Sequence, residues 1–291
     1  MEIVRVRFVD GENGCENAPS EILKALKDIG SDIDGRVIGF EDLRFEEIHV
    51  DLAPEGVPSR VAPGIPPGTR TSDEARTSEE VPFEGSSIEE SEHLIFENSK
   101  EIFERNFKAF FVGGDHSISY PIVRAFGKVE NNPLLIVFDA HGDCLEDGSG
   151  NRKWLRRLID SGFDGSKVIL ISGRNFFEEE IEFLKKNKVT LIKMNVLQED
   201  LSGVCDLVME RTRGSGGFYV SIDIDSVDCA FAPGCNDLEP GGLSSLDLIY
   251  FIKRLRLLKN FRGGDIVEIN PLKDVNGMTV RLGARLLGEI V

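Results

Sequence analysis

The 291-residue sequence is poor in several features that mark particular protein classes. Its five cysteines, at positions 15, 144, 205, 229 and 235, are odd in number and contain no CxxC pair. That argues against a disulfide framework and a four-thiolate zinc site, and fits reduced thiols in a cytoplasm. Basic residues are also short, with 34 Lys and Arg against 51 Asp and Glu and a net charge of −17. Such a chain is not expected to bind nucleic acid or an anionic membrane surface, and it favours the approach of a small cation. No apolar run nears the roughly 20 residues that span a bilayer. The opening "MEIVRVRFVDGENG" alternates Val and Arg like an edge strand and lacks the apolar core of a secretory leader. A cytoplasmic protein is therefore expected.

What is abundant is alternation. Short apolar runs at 3–8, 36–40, 109–114, 134–140, 168–172, 189–193, 217–225 and 265–270 read as strands. Several are apolar at consecutive positions, as strands covered on both faces must be. Amphipathic helical patterns lie between them. "APSEILKALKDIG" sets Ile22, Leu23, Leu26 and Ile29 on one stripe, with Pro19 and Ser20 as start signals and Gly30 as stop. Residues 88–107 and the C-terminal "TVRLGARLLGEIV" read the same way. Strand–helix alternation implies a mainly parallel central sheet between helical layers, an α/β chain of 1–291 forming a single domain. Residues 54–86 hold half of the twelve prolines and are read as a long loop within that domain, able to pass over a site.

Three strand ends carry unusual chemistry. "FFVGGDHSISYP" offers His116; "FDAHGDC" offers Asp139, His141 and Asp143; "SIDIDSVD" offers Asp223 and Asp225. Alternate residues of a strand face one side, so each set can point one way. Ligand sites of open parallel sheets lie at the carboxyl ends of strands. So many carboxylates brought together would repel one another and resist desolvation. One divalent cation cannot use them all, whereas two sharing bridging carboxylates can. The donors are oxygen and imidazole without thiolate, which suits Mn²⁺ better than Zn²⁺. Water shared by two such ions would be acidified from a pKa of 15.7 toward roughly 7 or 8. A lone DxD is more often a solvated edge or a turn start, but three such strand ends together point to a metal centre.

These blocks, "GGDHSISYP", "FDAHGD" and "SIDIDSVDCAFAPG…EPGGLSS", resemble the signature blocks of the ureohydrolase family of arginases, agmatinases and formiminoglutamases. The closing "DIVEINPLKDVNGMTVRLGARLL" and the opening "GCENAPSEI" are similar to the same family, so the likeness spans nearly the whole chain. The resemblance implies a three-layer α/β/α arginase-like fold with two manganese ions per subunit. One ion would be held by His116, Asp139, Asp143 and Asp223, the other by His141, Asp139, Asp223 and Asp225, with Asp139 and Asp223 bridging. It also implies C–N hydrolysis at a guanidino or amidino carbon and assembly into homo-trimers or hexamers. Asp143 would accept a hydrogen bond from the attacking hydroxide. Asp247 stands where many members have a glutamate that grips the guanidinium, and Glu239 stands where it can line the pocket or shape its turn.

The chain departs from the family pattern in places. Alignment on Arg156-Arg157 puts Asn151 where agmatinases and arginases carry a proton-shuttling histidine, and an amide cannot do that work. Cys229 replaces a proline, "CNDL" at 235–238 replaces a Thr-Gly-Thr-Pro-like loop, and Leu145 stands where arginases place an asparagine. The expected activity is agmatinase-like, agmatine to putrescine and urea. One rival is a formiminoglutamase-like hydrolase that uses Arg152 or Lys153 for a substrate carboxylate. The other is a metal-binding member with little catalysis.

Overall fold

The computed structural model describes residues 1–10, 14–38, 43–48, 87–105 and 108–290. Eight strands form one sheet: β1 (Glu2–Val6), β2 (Arg44–Ile48), β3 (Ala109–Val112), β4 (Pro133–Phe138), β5 (Val168–Gly173), β6 (Thr190–Lys193), β7 (Gly217–Asp223) and β8 (Phe261–Val267). Their order is β2-β1-β3-β8-β7-β4-β5-β6, and every pairing is parallel. Parallel neighbours need crossovers, which the helices supply.

The side chains of each inner strand divide between two apolar layers, as a period of two requires. In β4, Leu134, Ile136 and Phe138 join one core with Ile22, Phe251 and Leu286, while Leu135 and Val137 join the other with Phe103, Phe126 and Trp154. The first layer holds residues of α1 (Ala18–Leu26), α6 (Met194–Glu199), α7 (Leu201–Arg213), α8 (Ser245–Leu255) and α9 (Met278–Ile290). The second holds residues of α2 (Ile88–Arg105), α3 (Ser119–Val129), α4 (Trp154–Asp160) and α5 (Glu178–Lys186). The result is the expected three-layer α/β/α fold. No helix among the described residues is long and apolar enough to cross a membrane.

Two expectations about strands fail at the N-terminal side. β1 is not an edge strand, because β2 and β3 flank it. The edge is β2, "RFEEI", whose exposed and half-buried face carries too few apolar residues to stand out as a strand. Of the strand expected at 36–40, the described residues contribute only an isolated bridge between Ser31 and Val37. The Pro-rich loop expected at 54–86 lies outside the described residues.

Candidate metal centre

The strands β3, β8, β7 and β4 are consecutive neighbours, and their carboxyl ends open on one cavity of about 130 Å³. The carboxyl ends of β4, β7 and β8 and the segments after them line it with His141, Asp143, Asp223, Asp225 and Glu268, and the segment after β3 sets His116 against Asp143 and Asp223 beneath them. After β3, Gly113-Gly114 leads into a 3-10 turn at His116–Ile118. A Cβ on Gly114 would collide with the Phe8 carbonyl, so only glycine lets the chain pass. Asp115 caps the turn by accepting the Ser117 N–H at 3.1 Å, and it ties in Asp10 N–H at 2.9 Å. His116 is thereby delivered, buried, to the floor of the site.

The expected convergence of Asp139, His141 and Asp143 occurs, but not through strand pleating. β4 stops at Phe138, and a turn follows in which Asp139 Oδ1 accepts the His141 N–H at 2.7 Å. Asp143 adopts a left-handed φ of 47°, an unfavourable conformation for a residue with a Cβ. Trp154 Nε1 donates to its Oδ2 at 3.0 Å. β7 likewise stops at Asp223, whose Oδ1 accepts the Asp225 N–H at 2.8 Å. Asp225 Oδ1 accepts the Ala140 N–H at 3.1 Å and so links the two turns. A two-residue step closed by a carboxylate–amide hydrogen bond puts both side chains on one side, the same outcome as a pleat by another route.

Two groups of donors result: His116, Asp139, Asp143 and Asp223, and Asp139, His141 and Asp225. Asp139 is common to both, whereas Asp223 joins only the first. His116 Nδ1 lies 3.2, 3.0 and 3.0 Å from carboxylate oxygens of Asp139, Asp143 and Asp223. Nevertheless, His116 Nδ1 and Asp139 Oδ2 are buried without a hydrogen-bond partner. Donors converging on one point rather than on each other have this signature. Two ligands each about 2.1 Å from an octahedral cation, at right angles, stand about 3.0 Å apart. In the second group His141 Nδ1 lies 2.9 Å from Asp225 Oδ2, and Nε2 lies 3.2 Å from Glu239 Oε1.

The electrostatics agree with that donor set. Burial, with the Asp139 charge close by, pushes the Asp143 carboxyl up to about 7. Burial also raises Asp223 well above the carboxylate range, with Asp225 and Asp139 adding to it. Burial alone would depress the His116 imidazole, but three neighbouring carboxylates outweigh it and raise it. The protein's own charges therefore do not balance without bound protons or cations, and the residues present fit divalent ions.

Glu268, which the sequence reading did not single out, also lines the cavity. It follows β8 with φ 63°, is buried, and its Oε1 accepts the His116 N–H at 2.7 Å. Asp247 is elsewhere. It sits in the first turn of α8 and closes a capping box, its Oδ2 accepting the Ser244 N–H at 2.9 Å and its own N–H donating to Ser244 Oγ at 3.2 Å. That role corrects the expectation that Asp247 grips substrate. Glu239 and Asn151 do line the cavity, Asn151 Nδ2 lying 3.5 Å from Glu268 Oε1. Arg152 is at the cavity as well, paired with Asp237 at 3.1 Å. Arg174 acts as a strut, donating to the carbonyls of Asp225 at 2.7 Å and Glu239 at 2.6 Å. Arg156 and Arg157 stay within the chain: Arg156 donates to Cys144 O at 2.8 Å, and Arg157 pairs with Glu92 at 2.5 Å. Asp228 accepts N–H groups of Ala230 at 2.9 Å and Gly241 at 2.6 Å, which fixes the loop after β7. All five cysteines are free thiols.

Fold and site together define a three-layer α/β/α protein with a carboxylate–imidazole centre at the carboxyl edge of a parallel sheet. A model of the arginase family matches residues 6–291, and the chain belongs to that family. Among similar proteins, "Arginase 1, mitochondrial" of Oryza sativa subsp. indica is 34% identical over 209 residues, covering 68% of this chain and 59% of the relative. The formimidoylglutamase of Halalkalibacterium halodurans is 35% identical over 208 residues, covering 69% and 64%. The matches thus span less than two thirds of these relatives' lengths. The crystal structure of formimidoylglutamase from Bacillus subtilis superposes with a TM-score of 0.81 at 24% identity, covering 99% of this chain and 85% of that one.

Proposed function

We propose that this chain is a binuclear manganese hydrolase that cleaves the C–N bond of a guanidino compound, with agmatine as its substrate. His116, Asp139, Asp143 and Asp223 would hold one ion, and Asp139, His141 and Asp225 the other. Oxygen and imidazole donors without thiolate support manganese. When bound, the ions supply Lewis acidity, which makes water a competent nucleophile near neutral pH.

The observation that carries the choice of substrate is the charge of the cavity. Seven carboxylates line it against one arginine, an excess that two divalent ions do not cancel. A dication with a guanidinium at one end and an ammonium at the other matches that excess. Glu268 takes the place expected of Asp247: fixed by the His116 amide, it would accept guanidinium N–H groups in a charge-assisted bond. Glu239, held by Asn175 Nδ2 at 2.6 Å, would accept from the same cation. Asp143, oriented by Trp154, would accept a hydrogen bond from the attacking water. Asn151 can donate an amide N–H toward Glu268 but cannot shuttle a proton to the leaving amine.

A second reading is favoured by Arg152, the one cationic side chain of the cavity lining apart from histidine. It would take the carboxylate of a formimino acid, the type of substrate named for the bacterial relative.

The test is a panel assay on protein loaded with Mn²⁺. Urea from agmatine, and not from arginine or guanidinobutyrate, is the expected result. Formamide from formiminoglutamate alone would select the second reading. Silence across the panel with two ions bound would mean a metal-binding protein without this chemistry. An Asn151→His variant that gains activity would establish the alignment of that loop.

A further inference from the structure

Asp265 is a fully buried carboxylate that the reaction outlined above does not use. It lies in β8, directly paired in register with Ser221 of β7. Among the described residues its hydrogen-bond partners are three hydroxyls. Ser221 Oγ donates to Oδ1 at 2.7 Å, while Ser119 Oγ and the Tyr219 hydroxyl donate to Oδ2 at 2.9 and 3.0 Å. A carboxylate buried on neutral donors is costly compared with an apolar residue of similar size. Its contacts lead to the metal centre. Ser221 Oγ is also 3.0 Å from His116 Nε2.

The direction of these bonds follows from proton counting. A hydroxyl has one hydrogen and two lone pairs, and an ionised carboxylate can only accept. Ser221 therefore gives its hydrogen to Asp265 and turns a lone pair toward His116. Nε2 must then carry the imidazole proton, and in the neutral ring Nδ1 is bare. That bare nitrogen is the atom 3.0–3.2 Å from the oxygens of Asp139, Asp143 and Asp223.

We propose that Asp265, acting through Ser221, is a positioning residue that locks His116 as the Nε2–H tautomer and aims the Nδ1 lone pair at the first cation. The inference rests on the reading of His116 as a metal ligand. The relay is carried by neighbouring strands, because β8 lies between β7 and β3, the strand that leads to His116. Its geometry is set by the sheet rather than by a loop. Outer partners of this kind typically alter metal affinity by 10- to 100-fold.

The experiment uses the full chain with Zn²⁺ as a diamagnetic probe. Zn²⁺ affinity is measured by chelator competition, and the tautomer is read from ¹⁵N-histidine NMR, where only four histidines contribute. Ser221→Ala should weaken the tighter Zn²⁺ by about 10- to 100-fold and, in the metal-free protein, remove the single-tautomer pattern of His116. Asp265→Asn, which keeps the shape and removes the charge, should weaken it by about 10-fold, toward the lower end of that range. A purely structural role would lower the melting temperature of both variants without moving affinity or tautomer, and would overturn the proposal. So would a wild-type spectrum showing His116 protonated at Nδ1. Should Asp265→Asn not fold, Ser221→Ala alone decides, since it leaves the other two donors of Asp265 in place. Wild-type protein that binds fewer than two ions would instead sink the metal-centre reading itself.

Discussion

The floor and the rim of the cavity are built differently. On the floor, His116, Asp139, Asp223 and Asp225 are almost fully buried, and each is fixed by a turn that closes immediately after a strand. At the rim, Arg152 and Asp237 are 48% and 41% exposed, and Phe177 is 61% exposed. The floor has little freedom, because strands in a close-packed sheet set where it begins and backbone amides set where its carboxylates point. The rim is held by an exposed ion pair and loop side chains, which contribute little stability. The candidate metal donors are thus anchored to the sheet, while the rim of the cavity is left to the loops.

This contrast can be broken most forcefully at Asp139, the one side chain shared by both donor groups. Asp139→Asn should remove both ions, seen by elemental analysis, and reduce turnover by about 10³-fold or more. Retention of two ions would show that the groups do not share a ligand. Next come two acids that the structure places differently, Glu268 at the cavity and Asp247 at a helix cap. Glu268→Gln should cut kcat/KM by about 10²- to 10³-fold, with metal content unchanged. Asp247→Asn should leave kcat/KM alone and lower stability by about 1 kcal/mol through the weakened helix cap, read from urea denaturation. A large activity loss in Asp247→Asn would restore the original assignment. The smallest effect is expected at the rim. Arg152→Ala should change stability by no more than about 1 kcal/mol, because the pair with Asp237 is exposed. It should leave agmatine turnover within about threefold, and a collapse of formiminoglutamate turnover in the same variant would favour the second reading.

Much of the floor was legible in the sequence because metal-type side chains followed apolar runs at three separate places. Pleating does not run through Asp143 and Asp225, because β4 and β7 end at Phe138 and Asp223 and short turns take over. Glu268 was hidden by a boundary error. Reading "DIVEIN" as strand to 270 made its glutamate one of several strand residues, while β8 begins at Phe261 and the chain turns at Glu268. A charged residue following the apolar pair Ile266-Val267 was the signal available, the same signal used at Asp139. Asp247 had a simpler local reading as well. Ser244-x-x-Asp247 before an apolar helix is a capping-box pattern, and the structure uses it as one.

By itself the sequence determined the layered α/β architecture, since consecutive apolar strands and amphipathic helices have few other ways to bury their surfaces. It also fixed the donor types on the floor, because the residue types and their two-residue spacing are local properties. Only the tertiary structure decided which carboxylate faces the cavity, and that Asp265 backs His116 through Ser221. Those facts depend on the strand order β3-β8-β7-β4, which brings together residues more than a hundred positions apart. Pairing between distant segments is a property of the packed sheet, and no local pattern encodes it.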